Sequence, residues 1–229
     1  MEESASRQSP KEKDQMTDPK AFDEIARRIF APAYPVIAEQ IIEATGIKKG
    51  FCLDIGCGGG HLGMALAKRG PFDLGFLDPS QGMRELAVQN VAEAGLSDRV
   101  RILEGCAESI PLPDHSVDLA ISRGSIFFWK DLVSAFKEIY RVLKPGGKTY
   151  IGGGFGSDAI KKEISRKMEQ RKQGGDTWKK KVSERLGPDA VDRFNKLLTE
   201  SGIPDFAIFQ DQGKGLWIMI SKGEAHGTL

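Results

Sequence analysis

The chain has 229 residues, with 33 Lys and Arg against 32 Asp and Glu, for a formal charge of +1. That length suits one domain with elaborations and allows a sizeable buried core, and the near-neutral balance gives no global field toward nucleic acid or an anionic membrane. The cysteines Cys52, Cys57 and Cys106 are too few and too scattered for a disulfide scaffold or a zinc site, and they lack the tight triplet of radical iron–sulfur enzymes, so no metal is expected.

Residues 1–19 are polar and charged and read as a disordered tail. Met1-Glu2-Glu3-Ser4 has neither the basic nor the apolar region of a signal peptide. No apolar stretch reaches the roughly 18 residues of a membrane span, so a cytoplasmic protein is expected. From Phe22 the apolar spacing becomes helical: Phe22, Ile25 and Ile29 share a stripe that Ala26 and Phe30 extend. Ala31-Pro32-Ala33-Tyr34-Pro35 breaks it, and a second helix over 36–44 ends at Gly46. These helices form an N-terminal cap over residues 20–48.

Strand and helix patterns then alternate through residues 49–156. Strands are predicted over 51–55, 74–77, 100–104, 119–122 and 149–151, and helices over 61–68, 82–94 and 133–143. The alternation implies βαβ crossovers and a parallel sheet, with ligands beyond the C-terminal strand ends. Residues 157–201 are helical in pattern, broken at Gly174-Gly175 and Gly187-Pro188, and read as a lid insert. Its Lys and Arg are interleaved with acids, which makes a solvated face rather than an RNA patch. In the final segment, 202–229, strands over 206–210 and 216–221 flank a connection short enough for an antiparallel hairpin.

The most informative stretch is Phe51 to Gly60, a buried strand ending in a glycine turn with Asp54 just before it. Glycine lets backbone approach a ligand closely, and the helix that follows would place its N-terminus beside that ligand. Gly58, Gly60 and Gly63 satisfy a dinucleotide fingerprint, which would allow a dehydrogenase. Three features oppose that reading: the carboxylate at Asp54, the helical insert after the fifth strand, and a final antiparallel pair in place of a second mononucleotide half.

Leu53-Asp54-Ile55-Gly56-Cys57-Gly58-Gly59-Gly60 resembles the first motif of class I S-adenosylmethionine-dependent methyltransferases. Leu77-Asp78 resembles the acidic end of their second strand, and the run from Glu104 to Asp114 resembles the adenine-side loop of the ubiquinone/menaquinone-type branch. Ser116-Val117-Asp118-Leu119 and the run from Glu138 to Gly147 continue the resemblance, in order, over roughly residues 47–152. It implies an α/β, Rossmann-like three-layer sandwich: a mostly parallel seven-stranded sheet with a C-terminal antiparallel pair and a helical lid. The implied cofactor is S-adenosyl-L-methionine, with S-adenosyl-L-homocysteine as product.

The resemblance also distributes the cofactor among four segments. Gly56, Cys57, Gly58 and Gly60 would let backbone approach its methionine and ribose parts, and Asp54 would contact its amino end. Asp78 would accept both ribose hydroxyls, being a two-oxygen acceptor, with Pro79 and Met83 beside it. The Cys106-Ala107 backbone would meet the adenine edge. Cys106 stands where the family often carries Asp, so Glu108 or backbone would have to receive the adenine amino group. Ser122 and Arg123 close the set at the end of the fourth strand.

Methyl transfer needs little beyond an aligned nucleophile and a site that excludes water. Arg123 could bind an anionic substrate group through two parallel hydrogen bonds, and Phe127-Phe128-Trp129 could line an apolar pocket. His61 could act as a ligand or a general base, and Tyr34 could cap the cofactor or touch substrate, against ordinary packing roles for both. Met168 and Trp178 could face inward from the insert. The expected partner is a small-molecule acceptor, with no nucleic acid and no membrane, for a monomer or homodimer. A methyltransferase acting on RNA or protein, or a non-catalytic cofactor-binding protein, are the alternatives.

Overall fold

The computed structural model describes residues 18–171, 187 and 189–224. Seven strands form one sheet: β1 Gly50–Ile55, β2 Phe72–Asp78, β3 Val100–Glu104, β4 Val117–Arg123, β5 Leu143–Gly153, β6 Phe206–Asp211 and β7 Gly215–Ile220. Their order is β3-β2-β1-β4-β5-β7-β6. The first five run parallel, while β7 lies antiparallel to both β5 and β6. The order reverses between β1 and β4, which makes the switch point where open α/β sheets take their ligands.

The helices are α1 Pro19–Ile25, α2 Ala33–Thr45, α3 His61–Ala67, α4 Gln81–Glu93, α5 Leu132–Val142, α6 Asp158–Glu169 and α7 Ala190–Glu200. Strand alternation divides the core. Cys52 faces a cluster with α2, α3, α4 and α6, and Leu53 and Ile55 face a second cluster with α5 and α7. The sheet therefore carries helices on both faces, as the three-layer expectation requires. Helix α7 belongs to the second layer, with Phe194 and Leu198 buried there, and packs against α5 and strand β6. Within the 157–201 insert, residues 172–186 and 188 lie outside the described residues, as do residues 1–17 of the tail.

Four local details differ from the sequence pattern. Pro19, grouped with the tail by composition, is the first residue of α1, capped by Asp18; proline suits that position because its missing N–H would have no partner there anyway. The break between the cap helices is narrower than predicted, since Tyr34 and Pro35 already lie in the first turn of α2. The segment Ala26–Phe30 is π-helical, a widening found mostly as short insertions in helices, frequently at functional sites. The run Lys144 to Gly147, predicted as a turn before the fifth strand, is an irregularity inside β5: Val117 pairs with Leu143, but Leu119 pairs with Lys148.

Candidate active site

β1 and β2 run side by side, with Asp54 opposite Phe76 and Ile55 opposite Leu77. Their C-terminal ends deliver two carboxylates to the glycine turn. Asp54 is buried and its Oδ2 accepts the N–H of Gly63 at 3.0 Å, in the first turn of α3. Burial, reinforced by the nearby Asp78, pushes the Asp54 carboxyl up to about 7 despite that hydrogen bond. Asp78 is also buried; its Oδ2 accepts the N–H of Gly58 at 2.9 Å and its Oδ1 that of Ser80 at 2.9 Å. Burial raises its pKa too, against those two hydrogen bonds and Arg84.

Most of the turn's own donors are satisfied within the chain. Gly56 and Cys57 both donate to the Leu77 carbonyl, at 2.7 and 3.1 Å, and Gly60 donates to Cys57 O at 2.9 Å. With Gly58 and Gly63 held by Asp78 and Asp54, five N–H groups of this region, those of Gly56, Cys57, Gly58, Gly60 and Gly63, are already occupied, and two carboxylates stand beside them. That arrangement counts against a pyrophosphate and so against the dinucleotide reading. A ligand with a cationic end and ribose hydroxyls fits the same surroundings, since each carboxylate oxygen has a further lone pair to offer.

The three glycines differ in what they do. A Cβ on Gly56 would lie 2.3 Å from Ser125 Cβ, and one on Gly60 would lie 2.2 Å from a Phe76 ring carbon. Those two positions are closed to a side chain by the protein's own packing, which by itself accounts for glycine there. Only at Gly58 would a Cβ meet nothing closer than ordinary contact: its nearest neighbours would be Phe22 Cε1 at 3.7 Å and Met83 Sδ at 4.0 Å. Gly58 has φ +54, a left-handed conformation that favours glycine. Cys57 turns its thiol onto the Gly58 carbonyl at 3.4 Å.

Helix α1 lies across this turn, a contact that sequence reasoning missed. Asp23 is buried and accepts from His61 Nε2 at 2.7 Å, from Asn90 Nδ2 at 3.0 Å and from Arg27 Nε at 2.8 Å. Asn90 also donates to Gly59 O at 2.8 Å, and Arg27 donates to Asn90 Oδ1 and to Glu93. A Cβ on Gly59 would collide with Asp23 Oδ1, so that glycine is required by the seam between cap and turn. One acidic residue on the polar side of an amphipathic stripe looks like solvated surface in sequence; only the fold brings α3 and α4 against it.

His61 is therefore held by Asp23, and its ring stacks on Tyr34, with centroids 5.5 Å apart. Burial pushes the Tyr34 phenol up to about 12, against the pull of Arg123. On the other side of Tyr34 stands Arg123, whose Cζ lies 5.4 Å from the Tyr34 centroid, 4.8 Å from Phe30 and 5.7 Å from Phe155. Arg123 Nε donates to Gly154 O at 2.9 Å, tying the end of β4 to the loop after β5. Burial lowers its pKa, with Tyr34 acting the other way. Helix α6 closes the same region, since Ile164 and Met168 are buried in the cluster that holds Phe30 and Phe155. Trp178 lies outside the described residues.

The hydroxyl of Ser122, expected to bind cofactor, is hydrogen-bonded within the protein. Its Oγ is 2.5 Å from Ser125 Oγ, which donates to Ile55 O at 2.7 Å and accepts from Trp129 Nε1 at 3.2 Å. Phe128 is exposed and Phe127 half-buried, so this aromatic run does not form one pocket wall. On the β3 side, Cys106 bridges to Ser109 and Ala107 is buried. Glu108 Oε1 accepts from the N–H groups of Lys130 and Asp131, at 2.6 and 3.2 Å. Burial opposes its ionisation, but those donors and the Cys106 thiol hold the carboxyl below its ordinary value. Glu108 thus braces this loop against the start of α5. Pro79 contributes its carbonyl to Arg84 Nη1 at 3.0 Å, and Met83 N–H is capped by Ser80.

Comparison with known proteins agrees with this geometry. The methyltransferase domain family matches residues 53–151. An uncharacterized methyltransferase of Bacillus subtilis, YdaC, is 35% identical over 129 residues, which is 56% of this chain and 69% of YdaC. A demethylmenaquinone methyltransferase of Lactiplantibacillus plantarum is 39% identical over 98 residues, 42% of this chain and 41% of that enzyme, so the chain spans less than half of that relative. A crystal structure from Methanococcus maripaludis, described as an S-adenosyl-L-methionine-dependent methyltransferase, is 43% identical, covers 97% of this chain and all of its own, and superposes with a TM-score of 0.87. The chain belongs to the S-adenosyl-L-methionine-dependent methyltransferases.

Proposed function

We propose that this enzyme transfers the methyl group to a small-molecule acceptor by direct displacement, in the cytoplasm. The observation that carries the reading is the gathering of aromatic side chains beyond the ends of β4 and β5. Phe30 from the π-helical segment, Tyr34 from α2 and Phe155 from the loop after β5 stand around Arg123 there, and Met168 from α6 is buried in the cluster that holds Phe30 and Phe155. Aromatic surroundings of this kind suit a compact acceptor better than a nucleic-acid strand or a folded protein. Relatives named as demethylmenaquinone and sterol 4-C-methyltransferases support a small acceptor as well.

When bound, the cofactor supplies an activated methyl on a sulfonium; the chain's own residues hold and shield it. Asp54 binds the amino end, and Asp78 takes the ribose hydroxyls on the lone pairs left by Gly58 and Ser80. Cys106 and Ala107 present backbone to the adenine edge. Phe22 and Met83 flank the Gly58 position. Tyr34, its phenol pushed up to about 12, stays protonated at neutral pH and orients rather than accepts a proton. The aromatic surroundings exclude water from the transfer.

The test is incubation of the full chain with methyl-labelled S-adenosylmethionine and a fractionated cell extract. Label in the low-molecular-weight fraction is expected. Label on RNA or protein refutes the small acceptor. Cofactor binding without turnover on any fraction refutes the enzyme reading in favour of a binding protein. Binding itself is read by thermal shift with S-adenosylhomocysteine, where a ligand at 100 times its Kd stabilises by about 2.7 kcal/mol.

A further inference from the structure

Arg123 has an unusual balance of surroundings. It ends β4, two strands away from the carboxylate of Asp78 on β2. Its Nε is used by Gly154 O, which fixes the plane of the guanidinium. Three aromatic rings stand within 5.7 Å of its Cζ. Among the described residues it forms no ion pair, and Tyr34 is the partner that opposes the cost of its burial. Ring faces attract a cation but cannot accept its Nη hydrogen bonds in the plane. The guanidinium fork suits a carboxylate, which takes two parallel N–H bonds. Every other arginine at this end of the sheet that the turn needs is already neutralised: Arg27 by Asp23 and Glu93, and Arg84 by Glu104.

We propose that Arg123 is an acceptor-binding residue, and that the acceptor is a small organic acid whose carboxylate docks on this guanidinium while its apolar body packs among Phe30, Tyr34 and Phe155. The inference rests on the proposed reading of the space beyond β4 and β5 as the acceptor site. The tie to Gly154 turns Arg123 toward β5, away from β2, where Asp78 is placed for the ribose. A carboxylate held here would fix the orientation of the acceptor without touching the reacting atom, so this is a specificity-determining contact.

The test uses the full chain saturated with S-adenosylhomocysteine, titrated with benzoate and phenylacetate and, in parallel, with benzamide and phenylacetamide. Binding is followed by calorimetry and by the Arg side-chain 15N resonances, with Arg123 assigned from the R123K variant. The acids are expected to bind and to move the Arg123 signal, the amides to bind at least tenfold more weakly. R123M should lose the acids by at least tenfold while keeping S-adenosylhomocysteine affinity, and R123K should lose them in part because it lacks the fork. Several results overturn the proposal: acids and amides binding alike, neither acid binding, or acids binding R123M as they bind the native chain. An equal loss of S-adenosylhomocysteine affinity in R123M also overturns it, since the guanidinium would then serve the cofactor's own carboxylate. Native protein that binds no S-adenosylhomocysteine at all refutes instead the cofactor-site reading beneath it.

Discussion

Asp54 should make cofactor binding a proton-linked event. Its carboxyl has an ordinary value of 3.8 and is pushed up to about 7, first by burial and then by Asp78, against the Gly63 hydrogen bond. A shift of about 3 units corresponds to ~4 kcal/mol. The protonated form is the one the free fold favours, so this contribution to stability is complete below about pH 4 and is lost as pH rises through about 7. A ligand ammonium beside Asp54 reverses the preference and favours the carboxylate. Below about pH 7 the ligand's own α-amino group stays protonated, since the amine of a free amino acid titrates above the chain-terminal value of about 8. Binding must then expel the Asp54 proton, and S-adenosylhomocysteine affinity should rise close to tenfold from about pH 5 to about pH 6, flattening above about 7. Calorimetry in buffers of differing ionisation enthalpy should count close to one proton released per ligand at the acid end. Asp54→Asn keeps the shape and an acceptor for Gly63 N–H but has nothing to titrate, so its affinity should be weaker and nearly flat with pH. A flat native profile, or an Asp54→Asn profile as steep as the native one, refutes the reasoning; the second outcome would move the linkage to Asp78, whose pKa is also raised by burial.

Other perturbations separate packing from ligand roles. Gly60→Ala forces a methyl to 2.2 Å from Phe76 at φ +79, and overpacking with left-handed strain should cost about 2–5 kcal/mol in urea unfolding. Gly58→Ala meets only ordinary contacts and should cost ~1–2 kcal/mol of stability, with the larger effect on S-adenosylhomocysteine affinity; a reversed ranking of the two variants contradicts the assignment of the glycines. Asp78→Ala should weaken cofactor binding by on the order of 1.5–3 kcal/mol, and unchanged affinity would show that Asp78 only braces the turn. Asp23→Ala strips the shared acceptor from His61, Asn90 and Arg27. It should cost about 2–3 kcal/mol in urea unfolding and speed proteolysis within α1, whereas a loss below about 0.5 kcal/mol, the usual size for a plain surface site, would mean that the seam is not what holds the cap.

Much of the sheet was legible in the chain. The largely apolar runs of β1 and β4, buried along most of their length, the crossover helices between them, and the short connection before β7 are local patterns, and local patterns determine element type and order. The acidic ends of β1 and β2 were legible for the same reason, because a carboxylate before a glycine turn and another before Pro79-Ser80 are visible within a few residues. What the chain left open was the use of each group. Gly56 and Gly60 face Ser125 and Phe76, 69 and 16 residues away, and no spacing rule announces that contact. The Ser122 hydroxyl looked available to cofactor and is spent on Ser125, because the loop after β4 folds back under the end of β1.

The sequence by itself determined the alternating architecture and the family, because hydrophobic period, turn chemistry and ordered motifs are all carried within short windows. Only the tertiary structure decided that most of the turn's N–H groups are occupied, that α1 is riveted across the turn through Asp23, and that Arg123 stands among three rings without an acidic partner among the described residues. Those facts depend on where crossovers return distant segments to the switch point. Desolvation, which sets the charge state of Asp54 and the demand of Arg123 for an anion, is a property of that packed environment and of no residue taken alone.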